Sequence, residues 1–191
     1  MTKKTLSIVC VVILVLLATF IGFRNNNHQA KQSTTSAITE NTTKTVAHEN
    51  TPISYNGGTY TFSYPSSWTK SEKELNSNEG TVLTIQPSDA PSGEFTNISV
   101  EVLNGQTTSV ETLTNVFRNL HYHETTSTVN GITAQNYSAT LQSPNGLLHS
   151  IAYIFKQNNK IYFLKLEYIQ PSANEQLEDQ FNQIVNSFTL Q

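Results

Sequence analysis

The stretch from Thr59 to Tyr64 sets the tightest constraint on what this chain can fold into. Tyr60, Phe62 and Tyr64 alternate with Thr59, Thr61 and Ser63. Period-two alternation gives a strand with one apolar and one polar face. Three rings on one face need a second layer to cover them, so the pattern predicts a sheet packed against another element. Pro65 has no amide hydrogen for a ladder and ends the strand. Ser66 and Ser67 then turn the chain and return the only Trp, Trp68, to the same core. Tyr60, Phe62, Tyr64 and Trp68 are therefore expected as core residues, not as an open platform for stacking sugars.

The same reasoning extends along the chain. Ile53–Tyr55 and Thr59–Tyr64 flank Asn56-Gly57-Gly58, residues that take positive φ cheaply, which predicts a hairpin. Residues 69–81 are polar and read as a loop, Thr81–Gln86 as a short strand, and Pro87–Phe95 as another loop. In Asn97–Leu103, Ile98, Val100 and Val102 point inward against Ser99 and Glu101 outward. Thr108-Ser109-Val110-Glu111 has capping-box spacing and opens a helix. Its stripe is Val110, Leu113, Val116, Phe117 and Leu120.

After Asn130-Gly131, the strands are Thr133–Leu141, Leu147–Lys156 and Lys160–Ile169. In the last of these, Tyr162, Leu164, Leu166 and Tyr168 face one way, while Phe163, Lys165 and Glu167 face the other. Ser172-Ala173-Asn174-Glu175 opens a final helix with the stripe Leu177, Phe181, Ile184, Val185 and Phe188. The fold class is α+β, an antiparallel sheet flanked by helices.

Three segments divide the chain: residues 1–24, 25–51 and 52–191. Residues 6–23, LSIVCVVILVLLATFIGF, carry no charge. As a helix they reach about 27 Å, close to the thickness of a bilayer core. Lys3 and Lys4 precede the run and Arg24 closes it, and no small-x-small site follows, so an uncleaved signal anchor is expected over a cleaved signal peptide. The lysines favour a cytoplasmic N-terminus, with the C-terminal domain outside the cell. Cys10, the only cysteine, lies near the start of the run behind Val9 and is expected as an apolar helix residue, not a lipidation site. Residues 25–51 are rich in Asn, Thr, Gln and Ser and read as a disordered polar linker. Net charge is +3 over residues 1–51 and −6 over residues 52–191. An acidic domain without basic clusters is a poor fit to nucleic acid.

Few residues suggest chemistry. His121 and His123 are the candidate metal ligands, because i and i+2 on a strand share a side. Two more ligands would be needed, with His149 or Glu94 as the available donors. The sequence holds no G-x-S-x-G, no P-loop and no Cys-His pair, so an enzyme is not expected. No cofactor is expected either. Glu72 and Glu74 read as solvated charges, and the sequons at Asn41, Asn97 and Asn136 as chance in an Asn- and Thr-rich chain.

The order of these features resembles the PsbP-like superfamily of PsbP, Mog and DcrB-type domains. The residues that carry the resemblance are Tyr60-Thr-Phe62-Ser-Tyr64-Pro65 with Trp68, Asn130-Gly131 before a strand, and the closing Ile184-Val185-Asn186-Ser187-Phe188. It covers about residues 53–190. It implies an α/β/α sandwich and a non-catalytic assembly or binding role. The chain departs from bacterial members in lacking a lipidated cysteine. It departs from PsbP in lacking basic docking segments, so the resemblance carries over no partner. The expected function is a membrane-tethered extracytoplasmic module that binds a protein or envelope component; a small-ligand or metal-binding protein is the alternative.

Overall fold

The computed structural model describes residues 51–75, 79–88, 96–169 and 175–191. The apolar run 6–23, the linker through residue 50, the loop segment 89–95 and the cap residues 172–174 lie outside the described residues. Among the described residues no helix is long and apolar enough to cross a membrane. The described residues belong to one compact unit.

The elements are β1 (Pro52–Asn56), β2 (Tyr60–Pro65), β3 (Trp68–Glu74), β4 (Gly80–Pro87), β5 (Thr96–Asn104), α1 (Val110–Asn119), β6 (His123–Val129), β7 (Ile132–Ser143), β8 (Gly146–Gln157), β9 (Lys160–Ile169), α2 (Glu175–Ser187) and β10 (Thr189–Leu190). The architecture is α+β and mostly antiparallel sheet. Two differences from the sequence reading concern strands. Residues 69–74, read as a loop, form edge strand β3, and residues 123–129, left without an assignment, form edge strand β6. Both are polar because an edge strand has only one neighbour and wets most of its side chains.

The strands form two sheets instead of one. Seven run in the order β3-β4-β5-β9-β8-β7-β6, and three in the order β1-β2-β10. The opening hairpin closes as expected: Asn56 Oδ1 accepts from the Gly58 amide at 2.8 Å, and Gly58 has φ 79°. Its second strand then pairs with the end of the chain, Thr189 opposite Thr61 and Leu190 opposite Tyr60. The first and last strands thus meet in a small sheet laid over the large one.

The rings predicted as core are core. Phe62 is 1% exposed, and Tyr60, Tyr64 and Trp68 are buried with it. Phe188, which follows α2, stacks 5.3 Å from Tyr60 and 6.4 Å from Phe62, and meets Tyr162 edge-on at 5.8 Å. Leu177, Phe181, Ile184 and Val185 of α2 join this cluster, as do Ile98, Val100, Leu164 and Leu166 of the large sheet. On the opposite face, Phe117 of α1 packs 4.9 Å from Tyr137 and 5.7 Å from Phe163. The large sheet therefore lies between α1 on one side and α2 with the small sheet on the other.

The stripe on α1 is rotated from expectation. The buried residues are Leu113, Thr114 and Phe117, while Leu120 is 46% exposed. The cap is Ser109, not Thr108: its hydroxyl accepts from the Thr112 amide at 3.1 Å. Thr114 is buried with its own hydroxyl bonded to the Glu111 carbonyl at 3.2 Å.

Phe62→Ala removes a ring held among Tyr55, Tyr60, Tyr64 and Phe188. It should cost about 3–5 kcal/mol, while Ile53→Ala on exposed β1 should stay within about 0.5 kcal/mol. Urea unfolding of both variants checks this.

Candidate functional site

Two regions stand out: a groove where the turns gather, and a polar stripe on the α1 face of the large sheet. The groove holds about 600 Å³. Its walls come from the β1–β2 turn, the β3–β4 connection, the end of β5 and the β8–β9 turn, including Thr59, Glu74, Gln106, Asn158, Asn159 and Lys160. Main-chain hydrogen bonds tie these turns together. The Gly105 amide donates to the Asn159 carbonyl at 2.7 Å, the Asn104 amide to Glu79 at 3.0 Å, and the Leu75 amide to Gly80 at 2.9 Å. Lys160 Nζ reaches Thr59 Oγ1 at 3.3 Å, joining the large sheet to the small hairpin.

Residue type follows from backbone in two places. Gly80 has φ 137°, and a Cβ there would collide with the Val102 carbonyl oxygen. Asn158 and Asn159 have φ 49° and 59°, the left-handed pair that a tight hairpin turn requires. Side chains with amide and hydroxyl groups, among them Thr59, Gln106, Asn158 and Asn159, thus line an open groove.

The stripe lies where β5 and β9 run side by side. Asn97, Ser99 and Glu101 sit opposite Glu167, Lys165 and Phe163. On the far side of β9, Ser150 faces Glu167. The sequence reading placed Ser99 and Glu101 outward, which the structure corrects, and put Lys165 and Glu167 on the face opposite Leu164 and Leu166, where they lie. Lys165 is 2%, Glu167 4% and Glu101 6% exposed. Central strands covered on both faces leave neither set of side chains in water.

The charges are therefore paired: Lys165 Nζ lies 3.1 Å from Glu167 Oε2. Burial pulls the Lys165 ammonium down, but the carboxylates of Glu167 and Glu101 more than offset it and the net shift is upward. Burial raises Glu101 above its ordinary 4.5; Lys165 opposes this and Glu167 adds to it. One lysine neutralises one carboxylate, and the second holds its proton more tightly. Asn97 Oδ1, Ser99 Oγ and Ser150 Oγ are buried beside this triad without a hydrogen-bond partner among the described residues. The opposite signs of Lys165 and Glu167 at i and i+2 on one long inner strand were the available sequence signal for this pairing.

The two candidate metal ligands fall in different elements. His123 opens β6, whereas His121 lies in the turn before it with φ 59°. The Tyr122 amide donates to the Phe117 carbonyl at 3.0 Å and the His121 amide to Arg118 at 3.0 Å. Phe117 and Tyr122 meet edge-on at 4.9 Å. This is a Schellman ending, in which His121 occupies the left-handed position usually held by glycine. The two histidines are therefore not neighbours along one strand. Among the described residues no group of three or more His, Cys, Asp or Glu is placed to hold a metal ion. His149 stacks on Tyr168 at 4.9 Å, with Nδ1 3.3 Å from Thr140 Oγ1, and Glu94 lies outside the described residues. Glu72 and Glu74 are exposed, as expected, but on β3 and not in a loop.

An antiparallel α+β domain with a turn-walled groove at one end is the class that this geometry defines. The sequence pattern of the family described as PsbP-like protein matches residues 6–190. The chain belongs to that family. Cyanobacterial PsbP (CyanoP) from Synechocystis sp. PCC 6803 shares the fold with TM-score 0.56 and 13% identity, over 76% of this chain and 96% of that one. A protein of Bacteroides thetaiotaomicron aligns with TM-score 0.49 and 12% identity, over 73% of this chain and 48% of that one. LpqN of Mycobacterium tuberculosis, involved in cell envelope biogenesis, aligns with TM-score 0.48 and 15% identity, over 73% and 89%. No curated protein matches the sequence.

Removing Lys165 leaves two buried carboxylates without a counter-charge, so Lys165→Met should cost about 3–5 kcal/mol near neutral pH. Glu101 is raised in the folded state. Its contribution to stability is complete below its ordinary 4.5 and declines as pH rises through the raised value. Glu101→Gln should flatten that decline, which urea midpoints across a pH series read out. Separately, His121→Gly relieves a left-handed non-glycine residue and should stabilise by roughly 0.5–1 kcal/mol. A loss of stability there would refute the helix-ending role.

Proposed function

We propose that this chain is a non-catalytic binding module tethered to the cell membrane by residues 6–23 and held outside the cytoplasm on the linker 25–51. It binds a protein or envelope component in the groove where four sets of turns meet. The observation that carries the reading is the construction of that groove. Main-chain hydrogen bonds join the end of β5 to the β8–β9 turn and to the β3–β4 connection, and Lys160 ties in the β1–β2 turn, so the lining of amide and hydroxyl side chains is organised before the ligand arrives. Such a lining suits a ligand rich in amide or hydroxyl groups, a peptide segment or a glycan. The uncharged run and the polar linker support the tethering, and the absence from the sequence of the usual nucleophile motifs supports a binding role.

A photo-crosslinking residue at position 106 of the full chain in its native membranes should yield one reproducible adduct that the same residue at position 73 on β3 does not. Identical adducts from both sites would overturn the reading. Once the ligand is isolated, Gln106→Ala should weaken binding roughly fivefold, the value of one neutral hydrogen bond of about 1 kcal/mol. Deleting residues 6–23 should release the protein from the membrane fraction.

A further inference from the structure

The two edges of the large sheet differ in chemistry. β3 carries Lys70, Glu72, Lys73 and Glu74 within seven residues. Lys70 Nζ sits 4.8 Å over the Tyr55 ring, and the nearby Glu72 carboxylate adds to burial in raising the Tyr55 hydroxyl above its ordinary range. Charged edges of this kind resist pairing with another strand.

β6 is different. Its seven residues, His123–Val129, pair without a bulge with Ser138–Ile132 of β7, and among the described residues nothing pairs with its outer side. Glu124 is its one acidic residue and is already engaged. Arg118 Nε donates to its Oε2 at 2.8 Å, and the Arg118 guanidinium and the Tyr137 hydroxyl both donate to its Oε1 at 2.9 Å. From Thr125 to Val129 the strand has no charge and is mostly β-branched. Thr125, Thr126 and Thr128 are exposed. A flat, neutral edge held in register from behind is a template for strand addition.

We propose that β6 pairs antiparallel with β6 of a second copy of this chain, across a two-fold axis through Thr126. The strand is self-complementary in that register. Thr126 faces its own counterpart, Thr125 faces Ser127, Glu124 faces Thr128 and His123 faces Val129, so no like charges meet and hydroxyl side chains pair across the junction. Only this register pairs the full length of both strands. A second copy satisfies the edge without any foreign sequence. If residues 6–23 anchor both copies, confinement to one membrane raises the effective concentration for a short contact. The inference uses the edge alone and is independent of what the groove binds.

The test is register-specific cross-linking of the full chain with Cys10→Ser, so that an introduced thiol is the only one. Facing residues of an antiparallel pair have Cα atoms about 4.5–5.5 Å apart, within disulfide reach. Thr126→Cys should therefore oxidise to a covalent dimer. Thr128→Cys, on the same face but about 14 Å from its counterpart in this register, should give at least tenfold less. Thr126→Lys, which sets two ammonium groups against each other, should shift the detergent-solubilised chain from dimer to monomer on sedimentation with its melting temperature unchanged. The proposal fails if the two cysteine variants cross-link equally, if Thr126→Cys captures a different protein instead, or if Thr126→Lys leaves the association intact.

Discussion

The middle of the large sheet is covered on both sides, and the rest of the molecule is arranged around that constraint. β5 and β9 bury nearly every side chain they carry. On one face this is inexpensive, because Ile98, Val100, Leu164 and Leu166 meet α2 and the small sheet. On the other face the strands bring Glu101, Lys165 and Glu167 out of water, and an isolated charge there is costly. Pairing Lys165 with Glu167, and a raised proton affinity on Glu101, are the physical responses. The ending of α1 belongs to the same solution. By holding His121 left-handed it turns Tyr122 inward, where its ring packs on Phe117.

The apolar face was legible in the sequence because the aromatic alternation at 59–64, the last helix stripe and the Asn-Gly turns each encode a local rule. The polar face was not. Alternation of apolar and polar residues in 97–103 and 160–169 matches a half-buried strand equally well, and periodicity has no way to tell whether the second face meets water or another element. That depends on the strand's place in the sheet order, which is set by distant pairings. The same limit explains β3 and β6. A strand such as Trp68–Glu74 follows no apolar pattern because it is an edge, and the sequence does not say which strands are edges. The candidate histidines illustrate a smaller version. His121 and His123 have the spacing of strand neighbours, but the helix that ends between Phe117 and Tyr122 puts the first in a turn.

The groove was invisible for another reason. None of its walls is contiguous in sequence. Gly57, Gly80, Gly105 and Asn159 lie on four separate turns, and each looks like an ordinary connector. What makes them a unit is the set of hydrogen bonds from Gly105 to Asn159, from Asn104 to Glu79 and from Lys160 to Thr59. The aromatic cluster holds that rim in place: Tyr60 starts β2 directly after the turn, and its ring is fixed between Phe62, Phe188 and Tyr162. The Gly57 position shows how close the fit is, since a side chain there would strike the Tyr60 ring. Core packing and groove geometry are therefore coupled through a single residue.

The likeness to CyanoP at 13% identity makes a related point about where variation is free. Chains so different in sequence can share a fold only if the fold is set by pattern and packing volume rather than by particular side chains. In this chain one face of the large sheet is taken up by an apolar core, the other by α1 and the buried charges, and the β3 edge by charges that meet Tyr55. The turns and the neutral β6 edge remain open to other molecules. Residues there answer to their own backbone, as at Asn158 and Asn159, and to close neighbours, as at Gly57 and Gly80.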